Sequence, residues 1–160
     1  MSVNKHLPHV LVLPEDDANR QLANGFQLAL DWSVLRRIQV LDEVGGWHQV
    51  LQKFGSDHIA GMDHYPNRVM VLLIDFDGQA ARLQDARNMI PAHLTGRVFI
   101  LGTWTEPEEL RRDLGGYEAI GSALARDCRE GTDTTWGHEL LRHNAIELAR
   151  LREHVRPILF

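Results

Sequence analysis

Four short apolar runs set the rhythm of the chain: His9-Val10-Leu11-Val12-Leu13, Val34 to Leu41, Val69 to Ile74, and Arg97-Val98-Phe99-Ile100-Leu101. Each is of strand length, rich in Val, Ile and Leu, and bounded by polar or turn-forming residues. That is the pattern of strands buried on both faces of a sheet. The third run is the most decisive, because no polar residue interrupts Val69 to Ile74 between Pro66-Asn67 and Gly78. The second contains Arg36-Arg37 and is expected to be less buried, at an edge.

Between the runs the apolar period becomes helical. Leu22, Ala23, Phe26 and Leu30 predict an amphipathic helix over 16–30, and Glu15-Asp16-Asp17 suits its first turn, where the macrodipole favours negative charge. Trp47, Val50, Leu51 and Phe54 mark a short second helix after Gly45-Gly46, and the polar residues 55–67 read as a loop. Ala81, Leu83, Ala86 and Ile90 predict a third helix ended near Pro91. Glu106-Pro107-Glu108-Glu109 opens a helical stretch over 106–127, interrupted at Gly115-Gly116. After a polar turn at 129–134, a last helix is expected from Thr135 to His154, stopped by Pro157. This alternation implies a single α/β domain over residues 1–160, a three-layer sandwich with a mostly parallel central sheet of about four strands and helices on both faces. Residues 106–160 form its mainly helical C-terminal part, packed on the same domain.

Composition narrows the setting. With 160 residues, 44% hydrophobic and 24% charged, the chain has the makings of a soluble globular protein with one real core. A formal charge of −5 gives no general attraction for a polyanion, so contact with nucleic acid needs a local basic patch or a bridging metal. Cys128 is the single cysteine, which excludes an intramolecular disulfide and fits a reducing cytoplasm. Met1 to Pro8 has no apolar signal core and no run approaches membrane-spanning length, so a cytoplasmic protein without a membrane partner is expected.

Chemistry is expected at the end of the third strand, where Asp75 and Asp77 stand one residue apart. Two carboxylates so close repel each other and are costly near a core unless a cation or donors join them. In a parallel sheet Glu15 reaches the same C-terminal edge, where open α/β sheets bind ligands. An oxygen-rich site of this kind suits Mg²⁺ or Mn²⁺, which can orient a phosphate and stabilise charge as a phosphodiester breaks.

Glu15 closing the first strand, followed later by Val69 to Ile74 and Asp75-Phe76-Asp77-Gly78, resembles the Toprim domain, found in primases, topoisomerases, recombination-repair proteins and small or OLD-type nucleases. The resemblance covers about Val10 to Leu101. It implies that Glu15 is the catalytic proton-transfer or metal-binding group and that Asp75 and Asp77 bind Mg²⁺. It further implies a fourth acidic position after a later strand, for which Glu106 is the candidate. The expected function is Mg²⁺-dependent phosphodiester chemistry on DNA or RNA, as a small nuclease or nuclease subunit. Val10 to Asp17, Asp75 and Thr103 also resemble a response-regulator receiver domain, which implies a non-catalytic regulatory or partner-protein-binding module. No lysine follows Lys53, so the receiver's conserved lysine has no counterpart. Leu73 to Gly78 resembles in part the first motif of haloacid-dehalogenase-type phosphatases, but Gln79 stands where they carry Thr.

Each of these features has a plainer alternative. Asp75 and Asp77 can cap a turn, and Glu15-Asp16-Asp17 can be a helix start. His58 and His64, with Asp57 and Asp63, read as a solvated loop rather than a zinc site, whose standard spacing they lack. Glu139, His143 and Glu147 at successive i,i+4 steps read as a wet helix face. Arg142, Arg150, Arg152 and Arg156, interleaved with Glu147 and Glu153, read as a mixed solvated surface, and Trp47, Trp104 and Trp136 as core or loop anchors. The oligomeric state is left open.

Overall fold

The computed structural model describes residues 2–160 and places the apolar runs in one four-stranded sheet. The strands are β1 (His9–Pro14), β2 (Ile38–Val40), β3 (Arg68–Leu73) and β4 (Val98–Leu101). All pairings are parallel and the order is β2-β1-β3-β4, with Val12 opposite Val71 and Val71 opposite Phe99. The helices are α1 (Asp17–Leu28), α2 (Trp47–Lys53), α3 (Ile59–His64), α4 (Ala81–Asn88), α5 (Pro107–Leu114), α6 (Tyr117–Glu130) and α7 (Ala145–Leu159). The expected three-layer α/β architecture is therefore present.

Strand alternation sorts the core into two halves. Val10, Val12, Val69, Val71, Phe99 and Leu101 pack with Leu22, Ile120, Leu124, Leu148 and Leu151, under α1, α6 and α7. The intervening residues Leu11, Leu13, Met70, Leu72, Val98 and Ile100 pack with Val50, Phe54, Met62 and Ala86, under α2, α3 and α4. Helices α1 and α6 touch backbone to backbone: a Cβ at Gly121 would stand 2.0 Å from Leu22 O.

Three boundaries differ from the sequence reading. The second run pairs only over Ile38–Val40, because Trp32–Arg37 winds into a 3₁₀ helix whose start is capped by Asp31, which accepts from Ser33 N. The expected loop at 55–67 is mostly helical: α2 runs through a π-turn at Phe54–His58 into α3. The π-turn inserts a residue, so Phe54 and Met62, both fully buried, fall out of the regular 3.6 period. The last helix begins ten residues later than expected and carries Pro157 within it, ending at Leu159. Ahead of it Asp127 accepts from Thr132 Oγ1, Thr135 N and Trp136 N, which fixes the turn that leads Trp136 into the core.

That late start puts two α7-side groups on the free edge of the sheet. Glu147, only 2% exposed, accepts from Ile100 N at 3.0 Å, Arg87 Nη2 at 2.8 Å and Arg150 Nη2 at 2.8 Å. Asn144 Oδ1 accepts from Gly102 N and its Nδ2 donates to Gly102 O. Side chains thus satisfy outward backbone groups that a fifth strand would otherwise pair. Glu147 does not belong to a wet face, and Arg150 and Arg152 are tied to Glu147 and Asp133.

Candidate functional site

The strand order reverses between β1 and β3, and the crevice beyond their C-terminal ends is where open parallel sheets take ligands. Glu15 follows β1 directly and Asp75 lies just past β3. The ladder continues beyond the strands: Glu15 N donates to Leu73 O at 2.9 Å, and Phe76 N to Thr103 O at 3.0 Å. Gly102 makes the second contact feasible, since a Cβ there would stand 1.6 Å from Ile74 O.

This backbone brings the side chains together. Glu15 Oε2 accepts from Asp75 N at 2.7 Å. Asp75 Oδ1 accepts from Asn19 Nδ2 at 3.0 Å and from Thr103 Oγ1 at 3.3 Å. Asn19 and Thr103 are fully buried and Asp75 is 8% exposed. Asp16 caps α1, its Oδ1 accepting from both Asn19 N and Asn19 Nδ2. The Asn19 amide therefore sits between two carboxylates and holds them in place.

The electrostatics are those of crowded acids. Burial first, and then the neighbouring charges of Glu15 and Asp16, push the Asp75 carboxyl up to about 7, against the opposing hydrogen bonds of Asn19 and Thr103. Glu15 is likewise raised, chiefly by burial and further by Asp16 and Asp77. Among the described residues no Lys or Arg side chain bonds the Asp75 carboxyl. Arg82 comes near, but its Nη1 donates to the Asp75 backbone O at 2.7 Å and to Asp77 Oδ2 at 2.9 Å, while its guanidinium lies 4.6 Å over the Trp47 ring.

The four residues singled out from sequence thus separate. Glu15 and Asp75 meet, joined by Asp16. Asp77 takes a left-handed backbone conformation, φ 49°, and turns its half-exposed carboxylate to Arg82. Glu106 is exposed at the start of α5 and makes no capping bond. Sequence reasoning passed over Asn19 and Arg82. Asn19 was traceable as the residue three after a capping Asp; for Arg82 no local signal exists. His143, read as part of a wet stripe, instead packs 4.8 Å from the Phe76 ring and 5.3 Å from the Trp104 ring, behind the Asp75-Phe76-Asp77 turn. Among the described residues neither of its ring nitrogens makes a well-formed hydrogen bond, and burial lowers its pKa to about 4, partly offset by the Gly102 backbone nearby.

Among the described residues no three His, Cys, Asp or Glu side chains form a ready-made metal cage. The donor set still fits one kind of ion. Mg²⁺ commonly keeps several waters and takes one or two carboxylates plus ligand phosphates, and Glu15 and Asp75 are neighbouring oxygen donors, with Arg82 near enough to favour the charged form of Glu15 without bonding either carboxyl. No helix among the described residues is long and apolar enough to cross a membrane. Comparison with known proteins found no matching family model, no matching curated protein and no matching solved structure.

Proposed function

We propose that the protein is a Toprim-like, Mg²⁺- or Mn²⁺-dependent protein acting on nucleic-acid phosphodiesters, with Asp75 and Glu15 holding the ion. One observation carries this reading: a buried carboxylate at the sheet's switch point, crowded by Glu15 and Asp16, with no basic side chain on its carboxyl group. When bound, the ion supplies Lewis-acid stabilisation of the charge that develops on a phosphodiester. The chain's own contribution is positional. Asn19 and Thr103 fix Asp75 Oδ1, leaving Oδ2 for a ligand. The Asp75 N–H fixes Glu15 Oε2, and Oε1 is left to hold or release a proton. In this reading Asp77 joins by exchanging Arg82 for the ligand, which frees the guanidinium to face a phosphate, and Glu106 contributes from the rim. The test is cleavage of DNA and RNA oligonucleotides with and without Mg²⁺ or Mn²⁺. Metal-dependent cleavage lost in Asp75→Asn is expected; cleavage unchanged by that substitution would overturn the assignment.

A second reading, a receiver-like module that binds a partner protein and catalyses nothing, has one specific support: the Thr103 hydroxyl on Asp75, in a sheet of order 2-1-3-4. Incubation with acetyl phosphate and Mg²⁺ separates the two. Covalent labelling of Asp75 favours the module, and its absence alongside cleavage favours the nuclease.

A further inference from the structure

At the opposite, N-terminal end of the sheet, a charge of the other sign stands uncompensated. Arg68 opens β3 and is 6% exposed, yet no carboxylate bonds it among the described residues. Its Nε donates to His9 Nε2 at 2.9 Å. His9 is fully buried, and its Nδ1 lies 2.7 Å from Leu7 O, which can only accept. The ring proton therefore sits on Nδ1, and Nε2 is free to receive the Arg68 N–H. The guanidinium is thus anchored at one edge by a neutral buried imidazole, and among the described residues neither Nη1 nor Nη2 meets an acceptor.

The surroundings add positive charge and a close approach of backbone. The Arg68 guanidinium lies 4.7 Å from the Tyr65 ring centroid, and Lys5 Nζ lies 5.9 Å from the same centroid. Next to Nη1, helix α3 carries Gly61, where a Cβ would stand 2.5 Å from that nitrogen. His58, whose pKa burial lowers first and the charge of Arg68 lowers further, has a buried Nε2 with no partner among the described residues. The acids of this helical segment are committed elsewhere, Asp57 to Lys53 and Asp63 to His93. His58 and His64, read from sequence as a solvated loop pair, flank this cluster on a helix: His64 packs edge-on against Tyr65.

We propose that Arg68, with Lys5 at the same Tyr65 ring, forms a phosphate-binding site at the N-terminal end of the sheet, its two Nη groups meeting a phosphate group edge-on. A guanidinium held at Nε, with no acceptor on either Nη among the described residues, offers the parallel fork that a phosphate accepts. The site is independent of the acidic crevice and stands or falls apart from it.

The experiment is a titration of arginine-¹⁵N-labelled protein with inorganic phosphate, against chloride at matched ionic strength. The Arg68 Nε–H signal is expected to shift and saturate with phosphate alone; no shift, or the same response to chloride, overturns the proposal. Calorimetry on two variants gives a second readout. Arg68→Met removes the fork, and Gly61→Ala crowds it while keeping the arginine. Each is expected to weaken phosphate binding by about tenfold or more, as loss of charged hydrogen bonds does. Should Arg68→Met fail to fold, Gly61→Ala decides, and unchanged affinity there overturns the site. Titration with a 5′-phosphorylated and an unphosphorylated dinucleotide tells the source of the phosphate: selective binding of the former assigns a nucleotide end, and binding of inorganic phosphate alone assigns the free ion.

Discussion

Glu147 at the β4 edge and Asp75 in the β1/β3 crevice are both buried carboxylates, but their surroundings are opposite. Glu147 receives a backbone N–H and two arginine side chains. Asp75 receives an amide and a hydroxyl on one oxygen and is faced by two further acids. A buried charge that is paired serves the fold; one that is crowded by its own sign is held at a cost and becomes useful when something joins it. The same contrast separates Arg150, paired with Glu147, from Arg68, which has no acid bonded to it among the described residues.

The largest effect is expected where the charge is compensated. Glu147→Ala leaves Ile100 N–H without its acceptor and removes the partner of Arg87 and Arg150. A loss of roughly 3 kcal/mol in urea unfolding is expected. A change under about 0.5 kcal/mol would show that Glu147 does not close the edge.

Asp75→Asn is expected to act in the opposite direction. The folded Asp75 carboxyl titrates at about 7, above its ordinary value of 3.8, so the folded state binds the proton more tightly. Its contribution is full below pH 3.8 and is lost as pH rises through 7. Asp75→Asn should therefore be more stable than the native chain at pH 8, by about 2 kcal/mol, roughly half of what the full shift corresponds to because the crevice is partly screened by solvent, with the gain gone at the acidic end. Unfolding curves across pH check this, and a native-like pH dependence in the variant would remove the crowding argument. His143 titrates with the other sign: its folded pKa is lowered from 6.5 to about 4, so its contribution is lost as pH falls through that window. Present in both chains, it cancels in the difference.

Mg²⁺ supplies a finer probe. At a hundredfold excess over its dissociation constant, an ion bound only to the folded state adds about 2.7 kcal/mol. At concentrations near that constant the shift is a few tenths. The native chain should show a rising unfolding midpoint and Asp75→Asn should not; equal rises in both would place the ion elsewhere. Asp77→Asn is the smallest expected change in stability, under about 1 kcal/mol, because it breaks one ion pair with a half-exposed carboxylate. If it abolishes the Mg²⁺ response as fully as Asp75→Asn, Asp77 leaves Arg82 for the ion.

The four apolar runs were legible because strand burial on both faces demands continuous Val, Ile and Leu, and a helix between each pair demands a parallel sheet. The strand-end positions of Glu15 and Asp75 followed from the same pattern, since both lie at run boundaries. Local pattern failed where long-range contacts overruled it: the π-turn at Phe54–His58 shifted the helical period, and the side chains that close the β4 edge delayed α7. It was silent on Arg82, whose partners lie across a turn, and it held the cap position of Asn19 but not that side chain's reach to Asp75, far along the chain.

By itself, then, the sequence determined the layers, the direction of the strands and the end of the sheet at which the acids gather, because these depend on periodicity and on where runs stop. Only the tertiary structure decided which charges are neutralised: Asp77 by Arg82, Glu147 by two arginines, Asp75 and Arg68 by no opposite charge among the described residues. Pairing depends on distances between residues remote in sequence, and burial sets what each unpaired charge costs.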